Sequence, residues 1–309
     1  MDLSGIPWLR PAPPVELMPS GDPDFVRASE WLARASAEPE AIVLGAPYGG
    51  ASISGARCDL TPAAVRAALS RFSVWSSDKA VSVEQLAVLD AGDVEPAADP
   101  SGTQNRIAEA IAALRARAEV PIVLIGGDNS VTVGGARGVA ADGLLTFDAH
   151  HDCRDPAHGV TNGSPVRQLV QGGLAHVVQV GIHGFANSEA NARWALDHKI
   201  HTISAVLVRE EGMGRAVAGA RRMLGDARRV WVDVDLDVLD RAYAPGTAAS
   251  MPGGLLPWHL EEAAFLLGLD RGVAGLDLTE VDPSMDVGET TVRTACAVLL
   301  AYLAGVRSR

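Results

Sequence analysis

Cysteine is scarce in this chain: three occur in 309 residues, Cys58, Cys153 and Cys296, widely separated and without a CxxC pair. That excludes a disulfide framework or a thiolate zinc site and makes a reducing cytoplasm the expected compartment. Positive charge is short as well, with 26 Lys+Arg against 38 Asp+Glu and a net charge of -12. Such a balance disfavours attraction to a phosphate backbone, so no nucleic-acid partner is expected and a small polar substrate fits better. The opening MDLSGIPWLRPAPP lacks a basic region followed by an apolar one, and the late run ACAVLLAYLAGV is too short to cross a bilayer. Neither export nor a membrane partner is therefore expected. Repeats and long low-complexity linkers are also missing. What is present is 48% hydrophobic residues, enough for a sizeable core in one domain over 1–309, with a Pro-rich irregular arm at 1–22.

Short apolar runs rich in β-formers recur eight times, over 41–47, 86–92, 121–127, 144–150, 176–184, 200–204, 229–238 and 273–281. Between them the Ala/Leu/Arg-rich stretches predict helices over 61–71, 101–118, 131–140, 188–198, 211–224, 258–268 and 289–305. This alternation produces an α/β fold with a parallel sheet covered by helices, in which ligands collect beyond the carboxyl ends of the strands.

Two of the runs end in dense charge. In LLTFDAHHDCRDP, Asp148, His150 and Asp152 would project to one side of an extended backbone and His151 to the other. In WVDVDLDVLDRAYAPG, Asp233, Asp235 and Asp237 repeat the two-residue spacing. Uncompensated carboxylates this close repel and are costly to desolvate, and a cation relieves both problems. Oxygen donors with a few imidazoles suit a hard or borderline ion such as Mn²⁺. Either cluster alone also reads as a solvated loop edge with a helix cap; two matching clusters point to metal.

A third stretch, IVLIGGDNSVTVGG, sets a Gly-Gly-Asp-Asn-Ser turn between a strand and a helix. Taken in order with DAHHD and DVDLDVLD, and with GARCDLTPAAVRAAL, LDAGDV, VVQVGIHGFANS and GLDLTEVDPSMD, it makes the chain resemble the ureohydrolase family of arginases, agmatinases and formiminoglutamases. The resemblance implies a three-layer α/β/α arginase-like fold around an eight-stranded parallel sheet. It also implies two Mn²⁺ ions per chain bridged by hydroxide, and a homo-oligomer, trimer or hexamer.

Laid onto this sequence, the family pattern makes Asp148 and Asp152 ligands of the first metal and His150 a ligand of the second. Asp235 and Asp237 complete the set, with Asp148 and Asp235 bridging, and Asp233 stands where relatives carry Ser. Glu280, in TEVDP, matches the glutamate that pairs with a cationic amidine or guanidine; on its own it also reads as an ordinary strand-end carboxylate. The family's GGDHS is GGDNS here, so Asn129 replaces a histidine ligand and the first site is expected to be weakened, amide oxygen being a poorer donor than imidazole. His158 could substitute only through an unusual loop. In TNGSPVRQL, Asn162 stands where arginases carry His, so the arginase proton shuttle is missing and Asn162 becomes a candidate substrate-binding residue.

The resemblance implies metal-assisted hydrolysis, with water attacking a planar amidinium or guanidinium carbon and Asp152 and Glu280 in catalytic roles. DAHHDCRD, NGSPVRQL, GFANS and DLDVLDRAYAPG are closest to formiminoglutamases, which implies N-formimidoyl-L-glutamate as substrate, with glutamate and formamide as products. Arg154 and Arg167 are then candidates to hold the substrate carboxylates, or else pair with Asp155 or another surface acid. The alternatives are a guanidino-compound hydrolase releasing urea, and a degenerate metal-poor homologue with a binding role.

Overall fold

A computed structural model of the chain describes residues 1–14, 21–22, 24–34 and 36–309. Its strands are β1 (Leu9–Arg10), β2 (Ala41–Gly45), β3 (Trp75–Ser76), β4 (Val81–Ser82), β5 (Val88–Val94), β6 (Ile122–Ile125), β7 (Gly143–Phe147), β8 (His176–Ile182), β9 (His201–Ser204), β10 (Val230–Asp235) and β11 (Val273–Thr279). Nine of them build one sheet in the order β1-β5-β2-β6-β11-β10-β7-β8-β9, and β3 and β4 form a separate hairpin. The eight parallel strands coincide with the eight apolar runs. The ninth, β1, pairs antiparallel with β5 through Leu9 and Arg10. The opening arm is thus partly ordered on the sheet edge, where irregular structure was expected; its residues 15–20 lie outside the described residues.

Helices cover both faces. On one, Ile42, Leu44, Ile122, Leu124, Leu144 and Trp231 pack with Ile107, Ile111 and Leu114 of the helix Pro100–Arg117. On the other, Val43, Val123, Phe147 and Val232 meet Leu299, Tyr302 and Leu303 of the helix Thr290–Arg307. Complete burial of such side chains contributes about 1.5–3 kcal/mol each, which explains why the central strands read as unbroken apolar runs. Local signals set the ends of the elements. Asp99 caps Pro100–Arg117 by accepting from the Gly102 amide, and Pro100 occupies the first turn, where its missing N–H costs nothing. The expected helix over 211–224 is Met213–Met223; Gly212, at φ 86°, sets its start and separates it from a preceding helix, Ala205–Glu211, that the pattern did not predict. The helices Ala28–Leu32 and Pro165–Gln171 and the β3–β4 hairpin were not anticipated.

Toward the carboxyl ends of the strands, the face carrying Leu144 and Trp231 changes character. Thr146 and Asp148 follow Leu144, Asp233 and Asp235 follow Trp231, and Asp277 and Thr279 lie alongside. Register pairs Asp233 with both Asp277 and Thr146, and Asp235 with Thr279. Six buried polar side chains are thereby stacked at one end of three adjacent strands.

Candidate active site

The strand β7 delivers Asp148 while still paired, its amide donating to the Val180 carbonyl (3.0 Å), and then turns. Asp148 Oδ1 accepts from the His150 amide at 2.6 Å, a local turn that aims the imidazole back at the carboxylates. His150 Nδ1 lies 3.0 Å from Asp237 Oδ2 and 3.4 Å from Asp148 Oδ1. Ligand atoms of Asp148, His150 and Asp237 fall within 4.8 Å of one another. His151 points elsewhere: its Nδ1 meets Gln179 Oε1 at 2.7 Å. Asp152 is held in the left-handed region at φ 49°, a conformation costly for a residue with a side chain and persistent only where the surroundings enforce it. From the neighbouring strand, Asp235 Oδ1 accepts from the Asp237 amide at 2.8 Å.

Electrostatics in this cluster are those of anions without enough compensation. Burial, then Asp152 and Asp237, push Asp148 well above the usual carboxylate range; burial, then Asp237 and Asp148, do the same to Asp235. Burial raises Asp152 to about 7 and Glu280, with Asp128 adding, to about 8. Against the opposing effect of its burial, His150 is raised to about 12 by Asp237 and Asp148. The cluster calls for positive charge.

Glu280 ends the same cleft. Also at positive φ (62°), it accepts at Oε1 from the Asn129 amide (2.6 Å) and from Asn162 Nδ2 (3.0 Å). Asn162 in turn takes the Ile53 amide on its Oδ1 at 3.1 Å, tying the 49–57 loop to Glu280. Asn129 is engaged at both ends: Oδ1 accepts from Thr132 Oγ1 (2.9 Å) and Thr279 Oγ1 (3.2 Å), and Nδ2 donates to Asp152 Oδ2 (2.8 Å). With both lone pairs of its oxygen in use, the amide so placed orients Asp152, and a ligand role requires it to turn over.

Asp148, His150, Asp152, Asp235, Asp237, Asn129, Asn162 and Glu280 are therefore brought together. A cavity of ≈ 220 Å³ is lined by His150, Asp152, Asp235, Asp237 and Glu280 with Arg154. A second, of ≈ 450 Å³, shares His150, Asp152 and Arg154 as walls and runs outward past His158 and Asn191. His158 sits on this outer lobe, lining it rather than the inner cavity. Arg167 is not brought in: it pairs with Asp155 (2.5 Å) and stacks over Trp194 at 5.1 Å, the pairing available to it from the sequence. Asp233 faces Asp277 below the cavity, and burial followed by Asp277 raises its carboxyl strongly. Residues not anticipated are Asp128, whose carboxylate holds the Ala51 and Ser130 amides, and Thr132 and Thr279 behind Asn129. Only the Asp of GGDNS gave a sequence signal, as a turn residue.

Residues 39–305 match the arginase family. The chain belongs to that family. As an arginase-family enzyme it is a hydrolase, and its similarity to individual members is high. It is 36% identical over 278 residues to the formimidoylglutamase of Halalkalibacterium halodurans, covering 85% of this chain and 86% of that one. The crystal structure of formimidoylglutamase from Bacillus subtilis superposes with a TM-score of 0.87 at 30% identity, over 93% of this chain and 94% of that one. The guanidinopropionase of Pseudomonas aeruginosa is 31% identical over 301 residues, 92% of this chain and 91% of that one.

Proposed function

We propose that this chain hydrolyses the amidine C–N bond of N-formimidoyl-L-glutamate, giving L-glutamate and formamide, with Mn²⁺ as its metal. The observation that carries the reading is Arg154, a cation at the junction of the two cavities of a cleft whose inner wall carries Asp152, Asp235, Asp237 and Glu280. An acidic inner wall suits the amidinium end of this substrate, and a guanidinium suits a carboxylate end. Similarity to two formimidoylglutamases supports it.

The residues present fit a divalent cation. Asp148 Oδ2 is buried without a hydrogen-bond partner, and carboxylates with an imidazole are the donors a borderline ion takes. Asp148, Asp152, His150, Asp235 and Asp237 would hold it, two ions per chain being expected, with Asn129 at the weaker first site. When bound, such ions acidify a water and neutralise the carboxylates. The other tasks fall to the chain. Glu280 Oε2, free of hydrogen bonds to the described residues, faces the amidinium nitrogens, and Asn129 and Asn162 hold its other oxygen. Asp152 accepts the proton released as water adds to the amidine carbon and returns it to the departing glutamate nitrogen; the C–O bond forms, the C–N bond breaks and formamide remains.

Turnover of formimidoylglutamate, guanidinopropionate and agmatine by Mn²⁺-supplied protein tests the reading, with formamide and glutamate release expected to dominate. Preference for the guanidino acid would favour the second reading, which the guanidinopropionase similarity supports and which also gives Arg154 a carboxylate to bind. Preference for agmatine would overturn both. Arg154→Ala should weaken the acidic substrate by about 1.5–3 kcal/mol in kcat/KM, the scale of a hydrogen bond to a charged group. We further take the chain to be a single cytoplasmic domain assembled as a trimer or hexamer, to be checked by sedimentation equilibrium. Among the described residues no helix is long and apolar enough to cross a membrane.

A further inference from the structure

Arg154 owes its place in the cleft to a glycine nine positions later. The segments on either side of the outer loop lie together, the Arg154 amide donating to the Gly163 carbonyl at 2.9 Å. Gly163 is buried, and its φ is outside the left-handed region, so nothing in its backbone calls for glycine. The demand comes from a side chain. A Cβ at residue 163 would lie 2.7 Å from Arg154 Cδ and 2.9 Å from Arg154 Nε, well inside contact distance, and no other atom comes as near. The stem of Arg154 rests in the space left by the missing side chain, while its guanidinium makes no hydrogen bond or ion pair with a described residue. Arg167, with Asp155 and Trp194 to hold it, needs no such seat.

We infer that Gly163 is a specificity-determining position: it acts through Arg154, seating that guanidinium where the cleft's two cavities meet so that it can take the carboxylate of an acidic substrate. This rests on the proposed function. The same short turn then serves both ends of the substrate, since Asn162 holds Glu280 at the amidine end and Gly163 seats Arg154 at the carboxylate end. Gly163 is a positioning residue. Because the atoms in conflict belong to the outer part of a flexible side chain, an added methyl displaces Arg154 rather than the backbone.

The test is a double-mutant cycle on Mn²⁺-supplied protein, with Gly163→Ala made in the wild type and in Arg154→Ala. KM for formimidoylglutamate, kcat, melting temperature and calorimetric binding of L-glutamate would be read. In the wild type, Gly163→Ala should raise KM and weaken glutamate binding about tenfold or more, the scale of a misplaced binding group, with kcat and melting temperature little changed. In Arg154→Ala the same change should be almost silent. A Gly163→Ala protein that fails to fold while the double variant folds would also place the conflict at Arg154. Equal losses in both backgrounds, or no loss in either, would overturn the seat. Failure of the wild type to process any acidic amidine or guanidine while binding agmatine would instead overturn the functional reading.

Discussion

Asp233 and Asp235 are two residues apart on one strand and point the same way, yet their surroundings assign them different tasks. Asp235 reaches the cavity beside Asp237 and Glu280, whereas Asp233 stops short of it against Asp277. Asp235→Ala should therefore remove metal and activity together while the fold persists, read by elemental analysis and circular dichroism; near-normal metal content would defeat the assignment. Asp233→Ser should keep the metal. Both Asp233 oxygens are buried with no donor among the described residues, their neighbour being the Asp277 carboxyl, so the change should stabilise the protein at neutral pH by about 1–3 kcal/mol. The sign follows from linkage. A carboxyl raised in the folded state binds its proton more tightly there, contributes stability below the ordinary Asp range, and loses it as pH rises through the folded value. The Asp233→Ser melting curve should thus fall less between acid and neutral pH than that of the wild type. An identical pH dependence would mean that the pair with Asp277 holds no extra proton.

At the scale of elements, the strands were the most legible part, because a parallel strand buried on both faces must be apolar along its length and the chain has eight such runs. Helix ends were read well where a cap or proline marks them, as at Asp99–Pro100, whereas the helix that closes at Gly212 was missed, its end resting on backbone φ alone. The loop joining β6 to the next helix shows the same limit. GGDNS reads as a turn, but only the fold reveals that Gly127 lies under the 48–52 loop, where a Cβ would come within 1.7 Å of the Tyr48 carbonyl oxygen. Backbone, unlike the end of a side chain, cannot swing aside. Gly127→Ala should cost at least about 1–3 kcal/mol in urea unfolding and should impair activity as well, since the same loop carries Asn129. Unfolding at the wild-type midpoint would show that the loop moves freely.

For the molecule as a whole, the cost of gathering so many acids at one end of a sheet is offset by whatever cation enters. Adding Mn²⁺ to chelator-treated protein should raise its melting temperature, with a stabilisation of about 2.7 kcal/mol when free metal is a hundred times the dissociation constant. Calcium, which prefers an all-oxygen site, should stabilise less than manganese because His150 belongs to the set. A melting temperature indifferent to manganese would remove the metal from the proposal. The sequence by itself determined the eight strands, the end of the sheet where chemistry gathers, and the pairs of acids at two-residue spacing, since those depend on period and composition alone. It could not decide which of two arginines enters the cleft, because Arg154 and Arg167 are equivalent until a glycine seats one and Asp155 with Trp194 captures the other. Nor could it decide what Asn129 faces. Residues 129, 152 and 279 are distant in sequence and meet only when β6, β7 and β11 are assembled, and a hydrogen bond between distant residues has no periodicity to announce it.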